Sequence, residues 1–175
     1  MRFLRRRLLP LLFAVIPECP QRLDDGSERS SDEVIDLLYT QTVSCGLHMG
    51  VDDVAPYQLG SPSEVVSLRL RVEREKLLLG LTLVRDLLRR SRLDPARVAL
   101  VGRRLLKLLE ERVHDSSNVT FILLRRQMLA PKSLKNCFDH FGMRKLLEEA
   151  LQDPEALAQE LSTLRDVLCE PKNMQ

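Results

Sequence analysis

The sequence predicts an α+β fold that is rich in helix, with antiparallel strands confined to the first half of the chain. Two observations support this prediction. In two short segments before Glu73, apolar residues alternate with polar ones, which is typical of strands that bury one face. From Glu73 onward, apolar residues recur every three to four positions, which is typical of amphipathic helices. Strands followed by a run of helices define the α+β class.

The composition limits the kind of protein this can be. The chain has 175 residues, of which 44% are hydrophobic and 30% are charged, and its formal net charge is +2. This apolar content indicates a buried core and excludes a wholly disordered chain. Only 4% of the residues are aromatic. Because nucleic-acid binders combine a basic excess with stacking rings, we expect no nucleic-acid partner.

An apolar segment, Leu8–Ile16, follows four arginines near the amino terminus. Charge before a short apolar run also begins secretory and mitochondrial targeting peptides. However, Pro10 interrupts the run, and Ile16-Pro17-Glu18 stands where a signal peptide needs small residues for cleavage. We therefore predict that residues 1–20 form an apolar helix or a targeting segment, and we do not expect secretion. A membrane span needs about 20 apolar residues, so none is predicted.

The first predicted helix after this segment follows a polar stretch, Gln21–Ser31, in which Asp24-Asp25-Gly26 is typical of a turn. Ser30 and Glu33 have the spacing of a capping box. A helix is therefore expected from about Asp32 to Tyr39. Its inward positions are Val34, Leu37 and Leu38.

Two strands are predicted next. Thr42–Met49 alternates small or polar residues with apolar ones, and Val65–Val72 alternates more sharply. The apolar face of the second segment consists of Val66, Leu68, Leu70 and Val72. Asp52–Pro62 contains turn residues and is predicted to connect the two strands as an antiparallel pair. Because a two-stranded sheet is marginal alone, we expect a helix to cover it or further strands to lie outside this chain.

The remaining elements are predicted to be helices. The first has an expected inner face of Leu77, Leu81, Val84, Leu87 and Leu88. Asp94-Pro95 begins the next helix as a cap followed by proline. Its expected inner face consists of Val98, Val101, Leu105, Leu108 and Leu109. Then follow a polar turn at His114–Asn118, an apolar segment at Phe121–Leu129 that ends near Pro131, and helices over Leu134–Leu151 and from Asp153-Pro154 to Leu168, with Pro171 after them.

Residues able to perform chemistry are few and scattered. The three histidines, His48, His114 and His140, form no pair with metal-ligand spacing, and Glu110 with His114 is interpreted as a solvated helix end. Neither a glycine-rich phosphate loop nor a serine nucleophile elbow is present in the sequence. Cys45 and His48 fall on opposite faces of a strand, which argues against a catalytic pair. We therefore assign no catalytic, cofactor-binding or metal-ligating residue.

The four cysteines are interpreted as reduced and mostly buried thiols of an intracellular protein, because none forms a Cys-x-x-Cys pair. They are Cys19, Cys45, Cys137 and Cys169. The densest basic region is interpreted as the solvated face of two amphipathic helices, with a specific anion site as the alternative. It comprises Arg85, Arg89, Arg90, Arg92, Arg97, Arg103, Arg104 and Lys107.

A family resemblance rests on the order and spacing of several short motifs. The main ones are Leu68–Lys76 with its Val72-Glu73, then Gly80-Leu81 and Val84–Leu88, then Leu93–Val98 and Leu105-Leu106. Further matches are Leu9–Phe13, Asp25-Gly26 with Glu33-Val34, Thr42–Ser44, and Leu164-Arg165 with Leu168, Pro171 and Asn173-Met174. In this order the motifs resemble the carboxy-terminal half of insulinase-like (pitrilysin) zinc metallopeptidases, in the presequence-protease-like branch.

The resemblance implies a half-domain in which helices pack on one face of a sheet and enclose a chamber for unfolded peptides. The family's zinc-binding His-x-x-Glu-His helix belongs to the amino-terminal half, and no position here matches it. No catalytic role or zinc cofactor is therefore carried over to this chain. Residues 1–175 are expected to form a single, partial half-domain, because the family would begin another strand after Gln175. The resemblance and the thiols together favour the cytoplasm or the mitochondrion.

Three functional hypotheses follow from these observations. The leading one is a non-catalytic insulinase-like half-domain fragment that contributes structure or peptide contact. The second is a helical interaction module that binds a partner through an exposed sheet edge or an unmatched apolar surface such as Leu8–Ile16. The third is an accessory subunit of a metallopeptidase that a zinc-bearing half-domain completes in trans. The expected partners are thus a peptide or a complementary half-domain.

Overall fold

The computed structural model describes residues 7–49, 66–128 and 140–173. The helices in these ranges are α1 (Leu9–Val15), α2 (Ser31–Gln41), α3 (Leu77–Arg89), α4 (Pro95–Val113), α5 (Ser116–Met128), α6 (His140–Ala150) and α7 (Pro154–Leu168). The strands are β1 (Gln21–Arg22), β2 (Glu28–Arg29), β3 (Ser44–Met49) and β4 (Val66–Arg71). Short 3-10 turns lie at Ile16–Glu18, Arg74–Lys76 and Pro171–Asn173. The predicted α+β class is confirmed.

Side chains at the helix starts explain where three of these helices begin. Ser30 accepts a hydrogen bond from the backbone amide of Glu33, and the Glu33 carboxylate accepts one from the amide of Ser30, which completes the predicted capping box. Asp94 and Asp153 cap α4 and α7, and each is followed by a proline whose missing amide proton costs the helix nothing at that position.

Helix α1 lies in the centre of the hydrophobic core. Its residues Leu9, Leu11, Leu12 and Val15 are almost completely buried. The helix packs against α4 and β3. The segment Leu8–Ile16 is therefore a covered core element, which removes the reason for treating it as an unmatched apolar surface.

Strands β3 and β4 form the larger sheet, as the alternation of apolar and polar residues predicts. They pair in antiparallel register, with Cys45 opposite Leu70 and Leu47 opposite Leu68. Cys45 and Leu47 of β3 and the apolar side chains of β4 pack against the core. Helix α3 covers β4 so closely that a Cβ atom on Gly80 would lie 3.1 Å from Val72 Cγ2.

A small hairpin in the polar stretch Gln21–Ser31 was not predicted as strand. Strands β1 and β2 pair in antiparallel register, with Gln21 opposite Arg29. Gly26 adopts a φ of 83° at the turn, in the left-handed region that favours glycine. Strands of two residues give no visible alternation, so only the turn could be predicted from the sequence.

The inner face predicted for α3 was wrong at two positions and right at Leu87, which is buried. Leu77 and Leu81 are exposed, and the buried positions are Gly80, Leu83, Asp86 and Leu87. On α4, Val98, Val101 and Leu109 are buried as predicted, but Leu108 is exposed. The polar turn after α4 is shorter than predicted, since α5 already begins at Ser116.

Several predictions fall on residues outside the described ranges. These are the connecting loop Asp52–Pro62, the end of the apolar segment at Leu129 and Pro131, the first part of the helix predicted over Leu134–Leu151, and Cys137. Within the described ranges, no helix combines the length and the apolar character needed to cross a membrane.

Candidate interaction surfaces

The three histidines belong to different elements of the structure. His48 lies on β3, His114 is exposed at the end of α4, and His140 begins α6. In residues 7–49, 66–128 and 140–173, no group of three or more His, Cys, Asp or Glu side chains could hold a metal ion. The assignment of no metal-ligating residue to the whole chain stays a prediction.

The described thiols are free and are buried to different extents. Cys19 is completely buried, whereas Cys45 and Cys169 are half-buried. Burial raises the pKa of Cys19 to about 12, although the Asp94 amide and the Arg97 charge act in the opposite direction. Burial also raises the pKa values of Cys45 and Cys169. Because the thiolate is the reactive form, these environments disfavour nucleophilic chemistry at all three cysteines.

The basic region on α3 and α4 is largely occupied by ion pairs, and two of its arginines are mostly buried. Arg90 lies 3.2 Å from the carboxylate of Asp86 and also pairs with Asp24. Arg97 donates from Nε to the carbonyl oxygen of Glu18, 2.9 Å away, and lies 3.4 Å from Asp32. The prediction of a simple solvated face was therefore wrong for these two side chains.

The other arginines of the region divide into two groups. Arg85 pairs with Asp86 at 3.0 Å, Arg92 pairs with Glu28 at 3.4 Å, and Arg104 pairs with Glu18. Within the described ranges, no ion pair engages Arg89, Arg103 or Lys107, and all three are exposed. Four of the eight basic side chains thus join this region to the first 32 residues, and the basic charge is not gathered into one anion site.

The sheet of β3 and β4 has two chemically different faces. One carries Cys45, Leu47, Val66, Leu68 and Leu70 against the helical core. Because side chains alternate along a strand, the other face carries Ser44, Gly46, Ser67, Arg69 and Arg71. Arg71 and Ser44 are exposed. Among the described residues, each strand pairs with only one neighbouring strand.

A second surface feature, which the sequence did not predict, is a group of exposed leucines on α3. We call Leu77, Leu78 and Leu81 the leucine row; their exposed fractions are 58%, 80% and 61%. They are exposed, whereas Gly80 of the same helix packs against Leu70 and Val72. Exposed apolar side chains that stand together are typical of surfaces that bind another protein.

Comparisons of the chain with protein-family models, with curated proteins and with solved structures find no match. Two surfaces of the described residues are candidates for a functional contact. One is the polar face of the β3–β4 sheet, and the other is the leucine row.

Proposed function

We propose that this chain is a non-catalytic half-domain of an insulinase-like zinc metallopeptidase, which contributes chamber wall and peptide contact and no catalytic group. The main observation that supports the proposal is the two-faced β3–β4 sheet. Its apolar face packs against helices, while its other face presents polar and basic side chains. A wall of a peptide-binding chamber needs two such faces. One face must pack against the protein core, and the other must remain solvated and accessible to the peptide.

The positions of the resembling motifs also support the proposal. Val72-Glu73 directly follows β4, Val84–Leu88 lies within α3, and Asp94-Pro95 begins α4. The resemblance requires a strand, a helix and a second helix in this order. The order β4, α3 and α4 is compatible with this requirement.

The polar sheet face offers physically suitable contacts for an extended peptide. An outer strand edge has backbone donors and acceptors that a peptide strand can complete. Arg71 and Ser44 lie opposite each other at the end of the sheet next to α2 and are exposed. The positive charge of Arg71 would favour acidic peptides, with an affinity that falls as salt rises.

The proposal is tested on the purified full chain with two measurements. Metal analysis should find no stoichiometric zinc, and a quenched-fluorescence peptide should not be cleaved. Binding of a fluorescein-labelled, unstructured acidic peptide should be measurable by anisotropy and should weaken in Arg71→Glu. The matched control is Arg103→Glu, an exposed arginine on α4 without an ion pair in the described ranges.

Two results would count against the proposal. Stoichiometric zinc together with hydrolysis that a chelator blocks would make the chain a peptidase in its own right. Equal peptide binding by Arg71→Glu and Arg103→Glu would remove the sheet face as the contact surface.

The second candidate function is a helical protein-interaction module. The leucine row favours it, because three exposed leucines on one helix are costly to leave in water without a partner. The two candidates differ in the surface used. Substitutions in the leucine row should leave peptide binding at Arg71 unchanged but should abolish association with a protein partner.

A further inference from the structure

The amino-terminal apolar segment, which the sequence predicts to be either a helix or a targeting segment, is built into the core of the fold. In α1 and the turn after it, Leu11, Leu12 and Val15 are completely buried, and Ile16 is only 2% exposed. The helix packs against α4 and β3. A cleaved targeting peptide has the opposite property, because the mature protein folds without it.

Backbone hydrogen bonds fasten the chain that follows α1. The carbonyl oxygen of Pro20 accepts a hydrogen bond from the amide of Arg92 at 2.8 Å, and the amide of Arg22 donates to the carbonyl oxygen of Arg90 at 3.2 Å. Gln21 lies between these two contacts and is only 2% exposed. The segment is therefore held at its far end as well as along its apolar side.

We propose that residues 8–22 are a permanent part of the folded protein and are not a targeting peptide that a processing peptidase removes. Whether a terminal segment can be lost depends on the burial and the backbone hydrogen bonds of its residues. Removal of this segment would uncover the apolar surfaces of α4 and β3 against which α1 packs. It would also leave the Arg92 amide and the Arg90 carbonyl without their partners.

The amount of apolar surface lost is what decides between the two interpretations. Burial of a single leucine is already a large fraction of the net stability of a small domain. Helix α1 alone buries Leu9, Leu11, Leu12 and Val15 almost completely. The remainder of the chain is therefore not expected to keep this fold without α1. In the folded protein these apolar side chains lie inside the core, so a receptor could read them as an address only before the chain folds.

This inference does not depend on the peptidase proposal, since it concerns α1 and not the polar sheet face. The test uses the full chain with the recognition sequence of a site-specific protease inserted between Asp25 and Gly26. Both residues are exposed at the turn of the β1–β2 hairpin, and exposed loop tips tolerate insertion and cleavage. Circular dichroism before cleavage establishes that the variant is folded. The control is the wild-type chain treated with the same protease.

After cleavage, the piece that contains α1 should remain bound to the rest of the chain during size-exclusion chromatography. The two pieces should unfold together in urea, and the circular dichroism should match that of the uncut protein. Dissociation of the α1 piece with loss of the helical signal from the remainder would also support the inference. Dissociation that leaves a remainder with unchanged circular dichroism and cooperative unfolding would overturn it.

A second measurement examines processing in cells. The full chain with a carboxy-terminal affinity tag is expressed in cultured eukaryotic cells and recovered from the cytosol and from mitochondria. Intact mass should show that the folded protein in each fraction begins before Leu9. A folded fraction whose first residue lies between Leu9 and Leu23 would overturn the inference.

Discussion

The guanidinium of Arg97 donates a 2.9 Å hydrogen bond from Nε to the carbonyl oxygen of Glu18, which joins the start of α4 to the turn after α1. Two turns further along α4, Arg104 pairs with the side chain of Glu18. The end of α1 is thereby held by side chains 79 and 86 positions away. The position of the central core helix thus depends on polar contacts as well as on apolar packing.

A first prediction concerns the buried ion pair of Asp86 and Arg90. The Asp86 side chain is only 4% exposed, and its carboxylate is contacted by Arg90 and Arg85. Arg90→Ala leaves this carboxylate with Arg85 alone, and we expect a loss of about 3 kcal/mol in the free energy of unfolding. Urea unfolding followed by circular dichroism measures it.

The control for this prediction is Arg92→Ala. Arg92 makes an exposed pair with Glu28, which should contribute less than about 1 kcal/mol. Equal destabilisation by the two substitutions would show that burial of the Asp86 pair has no energetic consequence.

A second prediction concerns α1 as the centre of the core. Leu12 is completely buried, so Leu12→Ala removes buried apolar atoms and leaves a cavity. We expect a loss of about 2–5 kcal/mol in the free energy of unfolding. Leu100→Ala, on the exposed side of α4, should change it by less than about 0.5 kcal/mol. A Leu12→Ala variant as stable as Leu100→Ala would contradict the placement of α1.

The sequence predicted those parts of the fold whose signals are local. The capping box of Ser30 and Glu33 fixed the start of α2 to within a residue or two, because the helix start depends on side chains three residues apart. The alternation of apolar and polar residues predicted β3 and β4 and their apolar faces, because successive side chains of a strand point to opposite faces of the sheet. Their antiparallel pairing was predicted because the two strands are neighbours in the sequence and a loop with turn residues links them.

The inner face of the first turns of α3 could not be predicted, because leucine occupies almost every position there. With apolar residues all around the helix, periodicity selects no single face. The deciding contact is the close approach of Gly80 to Leu70 and Val72, which is visible only once β4 is in place. The leucine row was missed for the same reason.

The ion pairs of the basic region could not be predicted from neighbouring residues in the sequence either. Arg92 pairs with Glu28 and Arg97 with Asp32, contacts that span 64 and 65 positions. The sequence shows these arginines only as neighbours of one another. Their partners become neighbours through the hairpin of β1 and β2 and the start of α2, and the hairpin was not predicted.

A third prediction concerns the contact between α4 and the turn after α6. A Cβ atom on Gly102 would lie 2.7 Å from Leu151 Cδ2. Gly102→Ala should be close to neutral, because a gain of about 1 kcal/mol in helix propensity offsets the displacement of a terminal methyl group. Gly102→Val cannot be accommodated so easily, and we expect it to destabilise the fold by about 1–3 kcal/mol.

A double-mutant cycle tests whether the cost of Gly102→Val arises from this contact. Combining it with Leu151→Ala should recover at least part of the cost, which gives a coupling energy of about 0.5–3 kcal/mol. Strictly additive effects would mean that the contact with Leu151 is not what limits the size of the side chain at position 102.

The last prediction concerns the buried thiol of Cys19. Its pKa is raised from 9.0 to about 12 in the folded chain, because burial disfavours the thiolate. Between these two values the unfolded chain has lost the proton that the folded chain keeps. The unfolded state therefore binds fewer protons, and the free energy of unfolding falls as the pH rises.

From pH 8 to pH 10, the wild type should lose about 1.4 kcal/mol more in the free energy of unfolding than Cys19→Ala, which lacks the titrating group. Removal of the thiol lowers stability at every pH by a constant cavity cost, so the readout is the difference between the two pH profiles. Urea unfolding at each pH measures both. Cys169→Ala is the control, because Cys169 is only half-buried. Its removal should have a smaller effect on how steeply the free energy of unfolding falls with pH. Parallel profiles for the wild type and Cys19→Ala would mean that the thiol is not held protonated by burial in the core.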